Sequence, residues 1–184
     1  MMNALFGSLS FLFVYLYLVI PLAPIVYIFL KWRSYRDGAK PDPQLGMKVV
    51  LFYFKTLAYQ VLVASLAAIF SGLFKNEGEL INIGLGLFIG SLVIYGIHHL
   101  AILKMTNARE FPLTGRIFTA FNLVIIGLVG MISFMITMVT LASKGFKGIE
   151  IPLACFVVYA IAWGFQLFLF CKPRWFKKST PCCS

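Results

Sequence analysis

Carboxylates are scarce in this chain. Its 184 residues hold six, Asp37, Asp42, Glu77, Glu79, Glu110 and Glu150, against sixteen Lys and Arg. All six fall beside or between long apolar runs, so none is expected at mid-membrane depth, where proton relays and cation sites ordinarily need one. His98 and His99 are the only histidines. Adjacent residues on a helix point about 100° apart, which removes bis-histidine haem ligation within one chain. HExxH, GxSxG and GxxxxGK[ST] patterns are absent, and with them any sequence ground for a zinc protease, a serine hydrolase or a nucleotide site. No cofactor or metal is expected, and an enzyme is the minority reading. The four cysteines suggest no disulfide framework. Cys155 reads as apolar packing, whereas Cys171, Cys182 and Cys183 are expected in the cytosol and reduced. The ending Pro181-Cys182-Cys183-Ser184 is not a CaaX box; these cysteines beside Lys177 and Lys178 suit acylation, with a solvated basic tail as the simpler reading.

Apolar residues dominate instead. The chain is 61% hydrophobic and 12% charged with a mean hydropathy of +0.93, whereas a soluble domain is apolar over about half its length. A net charge of +10 raises nucleic acid as a partner, but the basic residues sit in short segments between apolar runs, which is membrane topology. Five runs reach the roughly 20 residues that a spanning helix needs: 4–30, 49–74, 80–103, 117–141 and 151–171. The expected fold is therefore an all-α integral membrane helical bundle of five transmembrane helices, forming one polytopic domain over 1–184 with a basic cytosolic tail at 172–184. The first run lacks a preceding basic region and outlasts an h-region, so it reads as a retained helix and not a cleaved signal peptide. Pro21 and Pro24 should kink it and free backbone carbonyls.

Lys and Arg counts set the expected orientation. Lys31, Arg33, Arg36, Lys40 and Lys48 follow the first helix, Lys104, Arg109 and Arg116 follow the third, and Lys172, Arg174, Lys177 and Lys178 follow the fifth; the other side has Lys75, Lys144 and Lys147. The positive-inside rule then puts the N-terminus outside and the C-terminus in the cytosol of a plasma (inner) membrane, with anionic lipid against the basic face and Trp32 and Trp175 as interfacial anchors. The short links at 75–79 and 143–150 make two antiparallel hairpins. Glu150 and Pro152 suit the start of the fifth helix.

In the fourth helix, Thr119, Asn122, Gly130, Ser133, Thr137 and Thr140 fall on one face at about 100° per residue. Such a stripe should face other helices and leave Ile, Leu, Val, Phe and Met to lipid. A shift of 66 positions lays Tyr53, Thr56, Ala64, Ala67 and Ser71 of the second helix on that row. A shift of 68 lays Ser91, Tyr95 and His98 of the third on Tyr159, Trp163 and Gln166 of the fifth. The hairpins then form either a parallel repeat or two amphipathic hairpins in chance register. The expected core is four helices, with the kinked first helix peripheral. Gly86 and Gly90 make a small-xxx-small pair that suits packing of the first helix or of a second copy.

Tyr53, Thr56, His98, Asn122 and Gln166 all lie one to two turns inside the cytosolic ends of their helices. Together they define a candidate polar cavity for a polar or anionic group; the simpler alternative is interhelical hydrogen bonding. Gly130, Ser133, Thr137 and Thr140 would extend it as a packing stripe or a path. Lys55 points nearly opposite the Tyr53, Thr56, Gln60 and Ser71 row, so it is expected to snorkel to the interface. The first function reading is a non-catalytic accessory or scaffold subunit with a protein partner or as a homo-oligomer. The alternative is a small transporter or channel for an anionic or neutral solute.

Overall fold

The computed structural model describes residues 21–36, 42–107 and 112–175, with side chains to residue 171. Among the described residues it is 90% helical without strands. The helices are α1 (Leu22–Arg36), α2 (Leu45–Lys75), α3 (Gly78–Met105), α4 (Leu113–Lys144) and α5 (Glu150–Trp175). The last four are long and apolar enough to cross a bilayer, and their outward positions carry Leu, Ile, Val, Phe and Met at high exposure. This is the architecture of a helical integral membrane protein.

Each helix extends beyond its apolar run. The first was expected to stop at Leu30, yet it continues through Lys31, Trp32 and Arg33 to Arg36. Similarly, α2 begins at Leu45 and α4 at Leu113, four residues before the runs at 49 and 117. The reason is that charge marks where a helix leaves hydrocarbon, whereas a helix ends only for a backbone reason such as Gly, Pro or a cap. Pro21 and Pro24 sit at the start of described α1, where a missing N–H costs little. The kink expected upstream of them lies outside the described residues, as do most of the first span and the tail cysteines.

The turn between α2 and α3 is reduced to Asn76 and Glu77. Asn76 takes the left-handed conformation at φ 57°, and the Glu77 N–H closes on Gly72 O at 2.9 Å. A Cβ on Gly72 would lie 3.0 Å from the backbone nitrogen of Ile81 and 3.1 Å from the carbonyl of Glu77. Glycine there lets the chain double back so sharply.

The bundle is organised around α2, which touches all four other helices. Its row Val49, Tyr53, Thr56, Gln60, Val63 and Ala67 is buried against α1, α4 and α5. A second row, Ala58, Ser65 and Gly72, is buried and meets α3 at Gly84 and Ser91. There a Cβ on Gly84 would stand 3.0 Å from the Ile69 nitrogen and 3.1 Å from the Ser65 carbonyl. Two apolar clusters fill the interior: Val26 and Leu30 of α1 with Val49, Tyr53 and Phe118, then Val63 and Ala67 with Ile126 and Val158. The hairpins pack unequally. While α5 contacts both α4 and α2, α3 has no substantial contact with α4 or α5 among the described residues. A two-fold relation would match the α5 to α2 contact with one from α3 to α4.

The Lys/Arg-rich end is tied by polar contacts. Lys48 was counted as a loop charge, yet it lies in the first turn of α2 with its side chain fully enclosed, 2.7 Å from Asp42 Oδ2. It also donates to Asn107 O, while Gln44 Oε1 accepts from the Asn107 N–H at 2.8 Å. The start of α2 is thereby fastened to the end of α3.

Candidate anion-binding cleft

A cavity of about 520 Å³ opens near the end of the bundle that carries Lys48 and Arg116. Its walls come from α2 through Phe52, Lys55, Thr56 and Tyr59, from α4 through Arg116, Thr119 and Asn122, and from α5 through Gln166, Leu169 and Phe170; Tyr95 of α3 closes one edge. The helix geometry explains why a space remains. On α2 the contact row for α4 and α5 and the contact row for α3 are separated by a sector holding Phe52, Lys55 and Tyr59. Because α3 and α5 do not close on one another, that sector faces a groove.

Lys55 was expected to snorkel away. In the structure it lines the cleft, 3.1 Å from His99 Nδ1, with its ammonium 5.3 Å from the ring centre of Tyr95 and 5.8 Å from that of Phe52. Its angular position was read correctly as far from the Tyr53 row, but the far side of that row is not lipid once α3 packs there. An ammonium has only hydrogens to offer, so His99 Nδ1 accepts and the imidazole carries its hydrogen on Nε2. His99 also stacks on Tyr95, with planes 16° apart.

Of the five residues expected to form one polar layer, Thr56, Asn122 and Gln166 line the cleft. Tyr53 does not; it turns into the cluster shared with α1, edge-on to Phe54. Nor does His98, whose Nδ1–H donates to Ile94 O at 2.8 Å while its ring lies against Phe54. His99, 100° further round α3, stands in its place beside Lys55. Asn122 Oδ1 accepts from Gln60 Nε2 at 2.8 Å, a buried bond joining α2 and α4.

In the deeper stripe Gly130, Ser133 and Thr137 are buried, and the Thr137 hydroxyl is occupied, as is that of Thr119 at the cleft. Thr137 Oγ1 donates to Ser133 O at 2.7 Å, and Thr119 Oγ1 donates to Gly115 O at 2.8 Å. Such bonds to the preceding turn satisfy a hydroxyl in apolar surroundings without water. Gly130 lies against Tyr159, where a Cβ would make ordinary contact at 3.5 Å. Thr140 is half-buried. Gly86 and Gly90 are exposed with nothing near their Cβ positions, so α1 does not seat on them among the described residues.

The cleft is cationic. Among the described residues, Lys55 and Arg116 line it without a carboxylate, and no group of three or more potential metal-ligating side chains occurs. Among the described residues three buried acceptors, Gln60 Oε1, Asn107 Oδ1 and Gln166 Oε1, lack a hydrogen-bond partner, a state that costs about 1–3 kcal/mol unless a donor arrives, and of these residues Gln166 borders the cleft. The Tyr59 and Tyr95 rings pack 6.0 Å apart at the same wall. Sequence reasoning missed Tyr59, Tyr95 and Arg116 as cleft residues. The signal for Tyr59 was its place with Phe52 and Lys55 in the sector of α2 between two contact rows, visible only once both rows are known; Tyr95 and Arg116 reach the cleft from α3 and α4 and had no such signal.

Comparisons with protein-family models, with curated proteins and with solved structures return no match.

Proposed function

We propose that this chain is a non-catalytic membrane module that holds an anionic group in the cleft lined by Lys55 and Arg116. The observation that carries the reading is a pair of cationic side chains with no carboxylate beside them among the described residues, in a cavity whose volume lies within the roughly 300–1,000 Å³ of small-ligand sites. Lys55 is half-buried and so attracts an anion more strongly than a surface lysine does, while the exposed Arg116 adds its charge at the mouth. The distribution of Lys and Arg supports a cytosolic mouth, a cytosolic C-terminus and a plasma (inner) membrane location. Binding without reaction suits an accessory or scaffold subunit whose state depends on its ligand.

Transport of an anionic or neutral solute is the second reading, and it needs a way through. One turn beyond Asn122, the buried Ile126 packs with Val63, Ala67 and Val158, which favours a blind cleft over a path. Cysteine accessibility separates the two. In a cysteine-free background, Thr119→Cys should react with a water-soluble maleimide and be protected by an anion, whereas Ser133→Cys and Thr137→Cys should stay silent. Equal reactivity at all three would establish the path and overturn the module reading; a silent Thr119→Cys, or one that no anion protects, would remove the cleft as a site.

A further inference from the structure

The cleft has a side door. Tyr95 on α3 and Gln166, Leu169 and Phe170 on α5 border the same cavity, yet those two helices make no substantial contact. Among the described residues the cavity is therefore open between them, along the flank of the bundle as well as at its end. What borders that flank is apolar: Leu169 is 47% exposed, and Phe165 and Phe168 on the same helix are exposed further still. Exposed Leu92 lies one turn from Tyr95 on the opposite helix. A water-soluble anion has no use for such a border, since it gains nothing from apolar surface.

We propose that the occupant is a phosphate-bearing anionic lipid with a hydroxylated headgroup, its acyl chains leaving between α3 and α5. The inference rests on the anion-binding reading above and names the ligand class for that same site. Three groups of different chemistry then each meet a partner. The phosphate is drawn to Lys55 and Arg116, and an arginine fork suits paired phosphate oxygens. A headgroup hydroxyl donates to Gln166 Oε1, a buried acceptor without a protein partner, once the side chain, itself in the cleft wall, turns that oxygen toward the cavity. The chains continue over Leu169 and Phe170 into the surrounding hydrocarbon, where they need no enclosed volume. A cavity of about 520 Å³ thus has to house only the head. His99 holds the Lys55 ammonium from one side, which orients its remaining hydrogens toward the cleft.

The test uses the full chain purified in a neutral detergent and native mass spectrometry with four probes. These are phosphatidylglycerol, phosphatidylcholine of the same acyl chains, glycerol phosphate and inorganic phosphate. Phosphatidylglycerol should bind in one-to-one stoichiometry, more tightly than phosphatidylcholine. Lys55→Gln and Arg116→Gln should each weaken it about tenfold or more, the scale of losing one charge-assisted hydrogen bond. Arg116 is exposed, so its variant keeps the test sound even if Lys55→Gln folds poorly. Glycerol phosphate or inorganic phosphate binding as tightly as phosphatidylglycerol, and lost in the same variants, would overturn the lipid assignment and leave the anion cleft standing. Equal binding of phosphatidylcholine, or insensitivity to both substitutions, would overturn the lipid assignment as well. If no probe binds at all, the cleft reading falls with it.

Discussion

Replacing Gly84 by alanine should destabilise the protein, while the same change at Gly86, two residues away, should not. The two sites share a helix and an intrinsic preference: alanine is favoured over glycine by about 1 kcal/mol per helical position. They differ in what the new methyl group meets. At Gly84 it would lie 2.7 Å from Ile69 Cγ1, 3.0 Å from the Ile69 backbone nitrogen and 3.1 Å from the Ser65 carbonyl. A side-chain atom can rotate away; two backbone atoms of α2 cannot move unless the helices separate. Overpacking of this kind costs about 1–3 kcal/mol, and a clash with two backbone atoms belongs at the upper end of that range, so after the gain in helix preference a net loss of up to about 2 kcal/mol is expected. At Gly86 nothing stands within 4 Å, so the helix term acts alone. Reversible unfolding in mixed micelles, followed by circular dichroism, reads both signs. The Gly84 variant should also shift the environment of Tyr95, since α3 carries both residues. A Gly84→Ala protein as stable as the parent would refute the backbone-to-backbone approach of α2 and α3. A Gly86→Ala protein destabilised equally would show that the exposed glycine face is covered by something in solution.

Two further outcomes follow from buried polar pairs. Asn122→Leu should cost about 1–3 kcal/mol by orphaning Gln60, and adding Gln60→Leu should recover part of that loss, because replacing both partners is cheaper than stranding one. A double-mutant cycle with no coupling would deny the 2.8 Å bond an energetic role. Likewise Asp42→Ala removes the carboxylate 2.7 Å from the enclosed Lys48 ammonium, a class of change that costs up to about 3–5 kcal/mol in fully buried pairs. Combining it with Lys48→Met should restore stability. Thermal unfolding midpoints of the single and double variants decide it; a double variant no better than Asp42→Ala alone would mean the ion pair is incidental.

How much of the site could be read in advance is best seen at four residues. Asn122 sits on a stripe whose period is set by the α-helix itself, so its burial follows from spacing and from the cost of polar groups in lipid. Lys55 sits on no stripe; its place depends on the angle between two neighbours of α2, and that angle has no local sequence signal. His98 and His99 show the limit most directly. Both are one turn from Tyr95, yet only His99 leans to the cleft, because α3 is seated through Gly84 and Ser91 and so turns His98 toward Phe54.

Composition and periodicity alone determined the solvent, the helical class and which long segments lie in the membrane, since apolar length and hydrogen-bond satisfaction allow lipid little else. Helix ends were less visible, because the hydropathy signal stops at the membrane surface while backbone hydrogen bonds run on to the next Gly, Pro or cap. Tertiary structure decided the rest: that α2 is the hub, that among the described residues α3 leans chiefly on it, and that a cationic cleft lies between rows no single helix defines. Contacts between distant segments depend on shape at close range, and a gap is a property of three or four surfaces together, so neither is written in the pattern of one helix.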